Sequence, residues 1–242
     1  MRLCSLSLKG FRSFKDISWS PKSLNIVIGP NGSGKSNLLK LLDMIRLCAD
    51  GEFRDYILRE GGMDQILWDN QAEKIEIHLN LCRDGDHEQI APFDLEYSLQ
   101  IRKKGYEGDF QIEQEFLRTI HDPSGHHESV MFLERNPSLS YFRNYIDADS
   151  ISMEIESTET LLSQLKTPFT KDSIPSKLQK LISSWRIFQS IDTSPHSPIR
   201  KPTISRCDTA LFLDGSNLIS VRHTLYTTNR EFERSIDLAM VA

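Results

Sequence analysis

Apolar and polar positions alternate from the first residues. Cys4, Leu6 and Leu8 point one way and Ser5, Ser7 and Lys9 the other, which predicts a half-buried strand. A turn over residues 10–16 leads to a second strand near Ile17, Ser18 and Trp19. Pro21, Lys22 and Ser23 turn the chain again, into Leu24, Asn25, Ile26, Val27 and Ile28. That run is nearly continuous in apolar residues, as a strand covered on both faces should be. The period then lengthens. Leu38, Leu41, Leu42, Ile45 and Cys48 recur at helical spacing and predict a helix with one buried stripe. Residues 51–80 read as a linker, in which Gly61 and Gly62 form a turn that feeds a strand toward Trp68.

Alternation returns over residues 74–135. Ile75, Ile77, Leu79 and Leu81 share one face of a strand, and so do Phe93, Leu95, Tyr97, Leu99 and Ile101 of the next. Phe110 and Ile112 begin a third strand, and residues 130–134 a fourth. Turn-rich segments at residues 83–86, 103–108 and 121–125 separate them, so an antiparallel meander is expected, half buried and half wet. Glu113 and Glu115 are assigned to its solvent side. Residues 136–160 show no clear period. Two helical clusters follow: Leu161, Leu162 and Leu165, then Leu178, Leu181, Ile182 and Trp185. Thr167-Pro168 and Ile174-Pro175 punctuate them, and a Pro- and Ser-rich connector runs to Pro202.

Between the apolar run and the first helix lie Gly29, Pro30, Asn31, Gly32, Ser33, Gly34, Lys35, Ser36 and Asn37. The segment fits the P-loop pattern G-x-x-x-x-G-K-[ST], in the order strand, loop, helix. The residue types suit a phosphate. Glycines let the backbone turn tightly and approach closely. The loop N–H groups and the helix N-terminus form an anion nest. Lys35 offers a point charge to the β- and γ-phosphates. The Ser36 hydroxyl is placed to ligate Mg²⁺. ATP with Mg²⁺ is therefore the expected ligand.

Composition narrows the picture. The chain has 242 residues, 38% hydrophobic and 26% charged, as in an ordinary folded chain. No apolar run approaches a membrane span and no export signal opens the chain, so a cytoplasmic location is expected. The net charge of −5 argues against a globally basic nucleic-acid-binding domain. Cys4, Cys48, Cys82 and Cys207 form no C-x-x-C pair and are read as reduced, mostly buried thiols. His121, His126 and His127 match no standard zinc spacing and are read as a polar hairpin.

The P-loop wording, the strand before it, and Phe11-Arg12-Ser13-Phe14 together resemble the RecF/SMC/OLD-like ATPases, ABC-type P-loop proteins. The resemblance runs from Met1 to about Phe232. It implies an α/β P-loop NTPase fold, the N-terminal part of an ABC-type head, with an antiparallel β-subdomain and a partial helical subdomain. Residues 1–50 would be the P-loop core, 51–150 the β-subdomain and 151–242 the helical part. It makes Arg12 a candidate nucleotide contact, the alternative being a solvated turn residue. Gln164 is a candidate Mg²⁺ sensor, with an exposed helix residue preferred. Leu211, Phe212 and Leu213 before Asp214 could mimic a Walker B strand, but Gly215 stands where the family has Glu. The segment better resembles a D-G-S-N-L turn that starts a helix near Asn217.

Other family motifs are not found. Ser138-Leu139-Ser140-Tyr141 lacks the glycine of the signature, and no apolar run ends in Asp-Glu. The sequence therefore reads as the nucleotide-holding half of a head. It is expected to need a C-terminal ATPase half or a second head as partner, and in the family such heads work on DNA in repair, recombination or phage defence. Two other classes remain open: a small P-loop kinase, for which no acceptor site or Arg-rich lid is evident, and a non-catalytic truncated product or assembly subunit.

Overall fold

The structure is a computed structural model. It describes residues 1–83, 90–91, 93–105, 109–120, 129–137, 139–143, 150–152, 156–165, 173–188, 192–202, 204 and 206–241. His121, His126, His127, Thr167, Pro168 and most of the turn at 83–86 lie outside these residues. The chain forms two units, residues 1–185 and 186–242.

The first unit is built on one antiparallel sheet of eight strands, in the order β2-β1-β3-β4-β5-β6-β7-β8. Strands β1 (Arg2–Phe11) and β2 (Phe14–Trp19) form a tight hairpin. Then come β3 (Lys74–Cys82), β4 (Leu95–Lys104), β5 (Asp109–Thr119) and β6 (Met131–Asn136), the expected meander. β7 (Leu139–Arg143) and β8 (Ser150–Ser152) extend it through the stretch that showed no period. Leu6, Leu8, Ile77, Leu79 and Leu99 are fully or almost fully buried on one face. The other face carries ion pairs such as Arg102–Glu113 at 2.8 Å and Arg118–Glu96 at 2.7 Å.

Helix α1 (Lys35–Asp50) covers the apolar face and buries Leu41, Met44, Ile45, Leu47 and Cys48. It is joined there by α2 (Phe53–Arg59), α4 (Leu161–Gln164) and α5 (Ile174–Ser183), whose first turn contains Pro175. Gly10 marks the close approach of β1 to β3. A Cβ there would lie 2.2 Å from the Lys74 carbonyl oxygen, and its φ of +77° suits glycine.

Four expectations are corrected. Residues 24–28 form no strand, because no described strand runs beside them to share hydrogen bonds. Leu24, Ile26 and Ile28 are 77%, 76% and 88% exposed. The glycine pair leads not into a strand but into a short helix, α3 (Met63–Ile66), followed by a single bridge between Leu67 and Phe11. The supposed linker also holds α2.

Glu115 is the third. It is fully buried, not on the wet face. The β4–β5 register slips by one residue between Gln100 and Ile101, so Phe110 and Ile112 face inward before the slip, and Glu115, Leu117 and Thr119 after it. A one-residue shift exchanges the two faces of a strand. The Glu115 carboxylate accepts from the backbone N–H groups of Leu161 (2.6 Å) and Leu162 (3.0 Å) and from the Tyr97 hydroxyl (2.9 Å). Burial raises its pKa against the lowering effect of those donors and of Arg135.

The fourth concerns the thiols. Cys4 and Cys82 are joined by a disulfide across β1 and β3, with Cα atoms 5.8 Å apart. They are 78 residues apart in sequence, and only the strand pairing makes them neighbours. Cys48 is a buried free thiol and Cys207 an exposed one.

In the second unit, α6 (Leu218–Thr228) and α7 (Arg230–Val241) follow an irregular connector. Asp214 lies in no strand. Its carboxylate accepts from the Ser216 N–H at 3.0 Å, and Asn217, the N-cap of α6, accepts from the Phe212 N–H at 2.7 Å. This is the helix-start arrangement.

Candidate functional site

Residues 29–34 of the P-loop precede α1, and Lys35, Ser36 and Asn37 form its first turn. Ser33 N–H donates to the Pro30 carbonyl at 3.3 Å, which closes the loop. Gly34 takes a left-handed conformation with φ of +92° and caps the helix with its backbone alone. Its carbonyl accepts from the N–H groups of Asn37 and Leu38. Among the described residues no side chain caps this terminus, and no acidic residue stands in its first turn. The helix therefore presents its free N–H groups and positive dipole end toward the loop.

Lys35 folds back over that loop. Its Nζ donates to the carbonyls of Gly29 at 2.6 Å and Pro30 at 2.7 Å, and lies 3.4 Å from Ser33 Oγ. The ammonium thus sits inside the ring of loop residues. Ser36 is exposed at the helix start.

The turn between β1 and β2 buttresses the loop from one side. Asn37 Nδ2 donates to Ser13 Oγ at 2.8 Å. A Cβ on Gly34 would meet Ser13 Oγ at 2.8 Å and the Phe14 ring at 3.1 Å, so this glycine is fixed by contact as well as by φ. Sequence reasoning singled out Arg12 but missed Ser13, which makes the contact. Arg12 has φ of +49° and its N–H donates to the Ile66 carbonyl at 2.8 Å. Its guanidinium pairs with Glu60, just past α2, which also accepts from Lys40 at 3.0 Å. Burial alone would raise the Glu60 pKa, but the hydrogen bond from Lys40 and the Arg12 charge together hold it below the ordinary carboxylate range. Burial, chiefly, pushes the phenol of nearby Tyr56 up to about 12. No sequence pattern pointed to Glu60, which lies in the stretch read as linker.

A cleft of about 330 Å³ opens beside the loop. Gly29, Pro30, Ser33, Gly34 and Lys35 line one side; Phe14, Ile17 and Trp19 of β2 line another, with Val27, Ile28 and Leu38. Most of this wall is apolar, and Ser33 and Lys35 are the polar side chains among its lining. No Asp or Glu is among its described lining residues.

The other candidates lie elsewhere. Gln164 is spent on local bonds: its amide donates to the carbonyls of Glu159 (3.1 Å) and Thr160 (3.2 Å), and its oxygen accepts from the Glu156 N–H (3.1 Å). It ties down the approach to α4. No group of His, Cys, Asp and Glu suited to a metal occurs among the described residues, nor does a helix long and apolar enough to cross a membrane.

The AAA ATPase domain family matches residues 1–198, most of the chain. The chain belongs to that family. Parts of it are similar to larger proteins. One is the chromosome partition protein Smc of Cereibacter sphaeroides, 39% identical over 80 residues, 31% of this chain and 6% of that protein. Another is the DNA replication and repair protein RecF of Desulforamulus reducens, 36% identical over 83 residues, 34% of this chain and 20% of that protein. RecF of Oenococcus oeni is 34% identical over 91 residues, 35% of this chain and 24% of that protein. The matches thus span a quarter or less of each of these relatives. A structure solved for the structural biochemistry of ATP-driven dimerization and DNA stimulated activation of SMC ATPases aligns over 48% of this chain and 69% of its own. The identity there is 21% and the TM-score 0.36.

Proposed function

We propose that this AAA ATPase domain holds Mg·ATP in the manner of a RecF/SMC-like head. Residues 29–37 wrap the phosphates, Lys35 turns from the Gly29 and Pro30 carbonyls to the β- and γ-phosphates, and the Ser36 hydroxyl ligates Mg²⁺. The observation that carries this reading is the N-terminus of α1, free of any side-chain cap among the described residues, beneath a glycine loop whose lysine is already drawn over it.

Chemistry is a separate matter. Orienting water needs a carboxylate or an equivalent group at the γ-phosphate, and the cleft beside the loop has none among its described residues. The proposal therefore assigns this chain binding, with hydrolysis at or near background when it acts alone. A partner bearing the signature and Walker B motifs, supplied by a further ATPase segment or a second head, would complete the site. The exposed Leu24, Ile26 and Ile28 favour such a partner, since unpaired apolar backbone invites an adjoining strand. The RecF relatives are named for DNA replication and repair, which supports DNA as a further partner.

Calorimetry on the purified chain tests the reading. Mg·ATP should bind, and Lys35→Ala should weaken binding by about tenfold or more, the worth of a charge-assisted contact. Equal affinity in the two proteins would overturn the assignment of the loop.

A further inference from the structure

We infer that Cys4 and Cys82 form a reversible thiol–disulfide site. Small thiols or dithiols reduce it in the folded chain. Oxidised, it fastens residues 2–5 of β1 to β3, and reduced, it frees them. The inference stands apart from the nucleotide reading and uses none of its residues.

A bulge brings the pair together. Leu3 lies opposite Leu81 and Ser5 opposite Asn80, so Cys4 is the extra residue between them. The bulge reverses the alternation of β1. Leu3 packs against the core with Leu6 and Leu8, although a regular strand would put Leu3 and Leu6 on opposite faces. Cys4 is thereby released from the inward row and meets Cys82. Cys82 follows Lys74, Glu76, His78 and Asn80 along the polar face of β3, and both cysteines are partly exposed. A disulfide so placed is open to a thiolate, whereas an interior one is shielded. Cys48 is the contrast. It is buried, and burial first, then the Glu159 and Glu115 charges, push its thiol well above the ordinary range.

The fastened stretch is one that a cross-link can control. Leu6 to Lys9 pair with β2 on one side and β3 on the other. Among the described residues, Arg2 to Ser5 pair with β3 alone, and through the bulged register. A segment paired on one side opens at lower free energy than the doubly paired strand it continues. The cysteines are 78 residues apart, so no local connection holds the two strands together once the bond is cut. Reduction proceeds by exchange. A reductant thiolate attacks one sulfur and forms a mixed disulfide, while the other cysteine leaves as a thiolate and takes a proton from water. A second reductant thiolate attacks the reductant sulfur of that mixed disulfide. This frees the remaining cysteine and leaves the reductant as its own disulfide, with two electrons passed to the cysteine pair. A small disulfide such as glutathione disulfide runs the exchange in reverse.

The test is a redox titration of the full chain in buffers of glutathione and glutathione disulfide, without denaturant, quenched with N-ethylmaleimide and read by peptide mass. Cys4 and Cys82 should take up the label together as the buffer becomes reducing and lose it together when the buffer is reversed, while Cys48 stays unlabelled in the folded chain. A pair that yields only after the chain is unfolded in urea overturns the inference, because the bond is then a shielded structural one. Four free thiols in the chain under oxidising glutathione overturn it too, because the bond then does not form. Amide exchange on the same samples reads the consequence. On reduction, exchange at residues 2–5 should quicken by about tenfold or more, with residues 6–9 unchanged. Unchanged exchange at residues 2–5, or an equal rise at residues 6–9, overturns the assigned role. Cys82→Ser should match the reduced wild type at residues 2–5 whatever the buffer, and a variant that still answers to glutathione there overturns the assignment to this pair.

Discussion

Two apolar strand sequences in this chain meet opposite fates. Ile75, Ile77, Leu79 and Leu81 alternate with polar residues and are buried to 1% exposure or less, under α1 and between β1 and β4. Leu24, Ile26, Val27 and Ile28 are at least as apolar in pattern, yet each is more than half exposed. Composition does not separate them. The first stretch has hydrogen-bonded neighbours on both sides and a helical layer above it; the second has neither among the described residues. Apolar character gives a segment the means to form a strand, and neighbours decide whether it does. The P-loop hangs from the second stretch, so the site joins a packed sheet and helical layer on one side and an uncovered segment on the other.

Core truncation should break the comparison most sharply. Leu79→Ala removes a fully buried side chain and should cost about 2–5 kcal/mol in denaturant unfolding. A cost below about 0.5 kcal/mol would mean the β3 face is not the core described here.

Glu115 tests how firmly the sheet and the helical layer are tied. Glu115→Ala leaves two backbone N–H groups and the Tyr97 hydroxyl without their acceptor, at a cost of about 1–3 kcal/mol. Its pH dependence has a definite sign. The folded pKa is raised above the ordinary 4.5, so the folded state binds the proton more readily. The stability that Glu115 contributes is then fully present below about pH 4.5 and is lost as pH rises through the folded value. Subtracting the profile of Glu115→Gln from that of the wild type should isolate this decline. A difference that grows with pH would reverse the assignment.

The smallest effect belongs to the other region. Ile28→Ala should change the stability of the isolated chain by no more than about 0.5 kcal/mol, because the side chain is already in water. Ile26→Asp should likewise spare stability while reducing self-association in light scattering. A loss comparable to that of Leu79→Ala would show that residues 24–28 are covered after all.

Much of this was legible in the residues themselves. The alternation over 74–135 located four strands because each had one wet face, and the 3.6-residue period located α1 for the same reason. The loop was legible as a pattern of glycines, lysine and serine, and the structure sets it at the start of α1. Three features show what was not. A periodicity carries no information about partners, so residues 24–28 looked like a strand. The bulge that turns Glu115 inward is a matter of register between two strands, invisible in either alone. The Arg12–Glu60 pair joins residues 48 apart, and Glu60 sits beside no motif of its own.

Amide hydrogen exchange with and without Mg·ATP tests the central contrast most directly. In the free chain, residues 24–28 should exchange as fast as open loops while β3 and β4 exchange slowly. On addition of Mg·ATP, protection should appear at residues 29–38, where loop and helix N–H groups meet the phosphates, and should not extend back over 24–28. Slow exchange at 24–28 in the free chain would contradict the account of an uncovered segment, and unchanged exchange at 29–38 would contradict the account of the phosphate site.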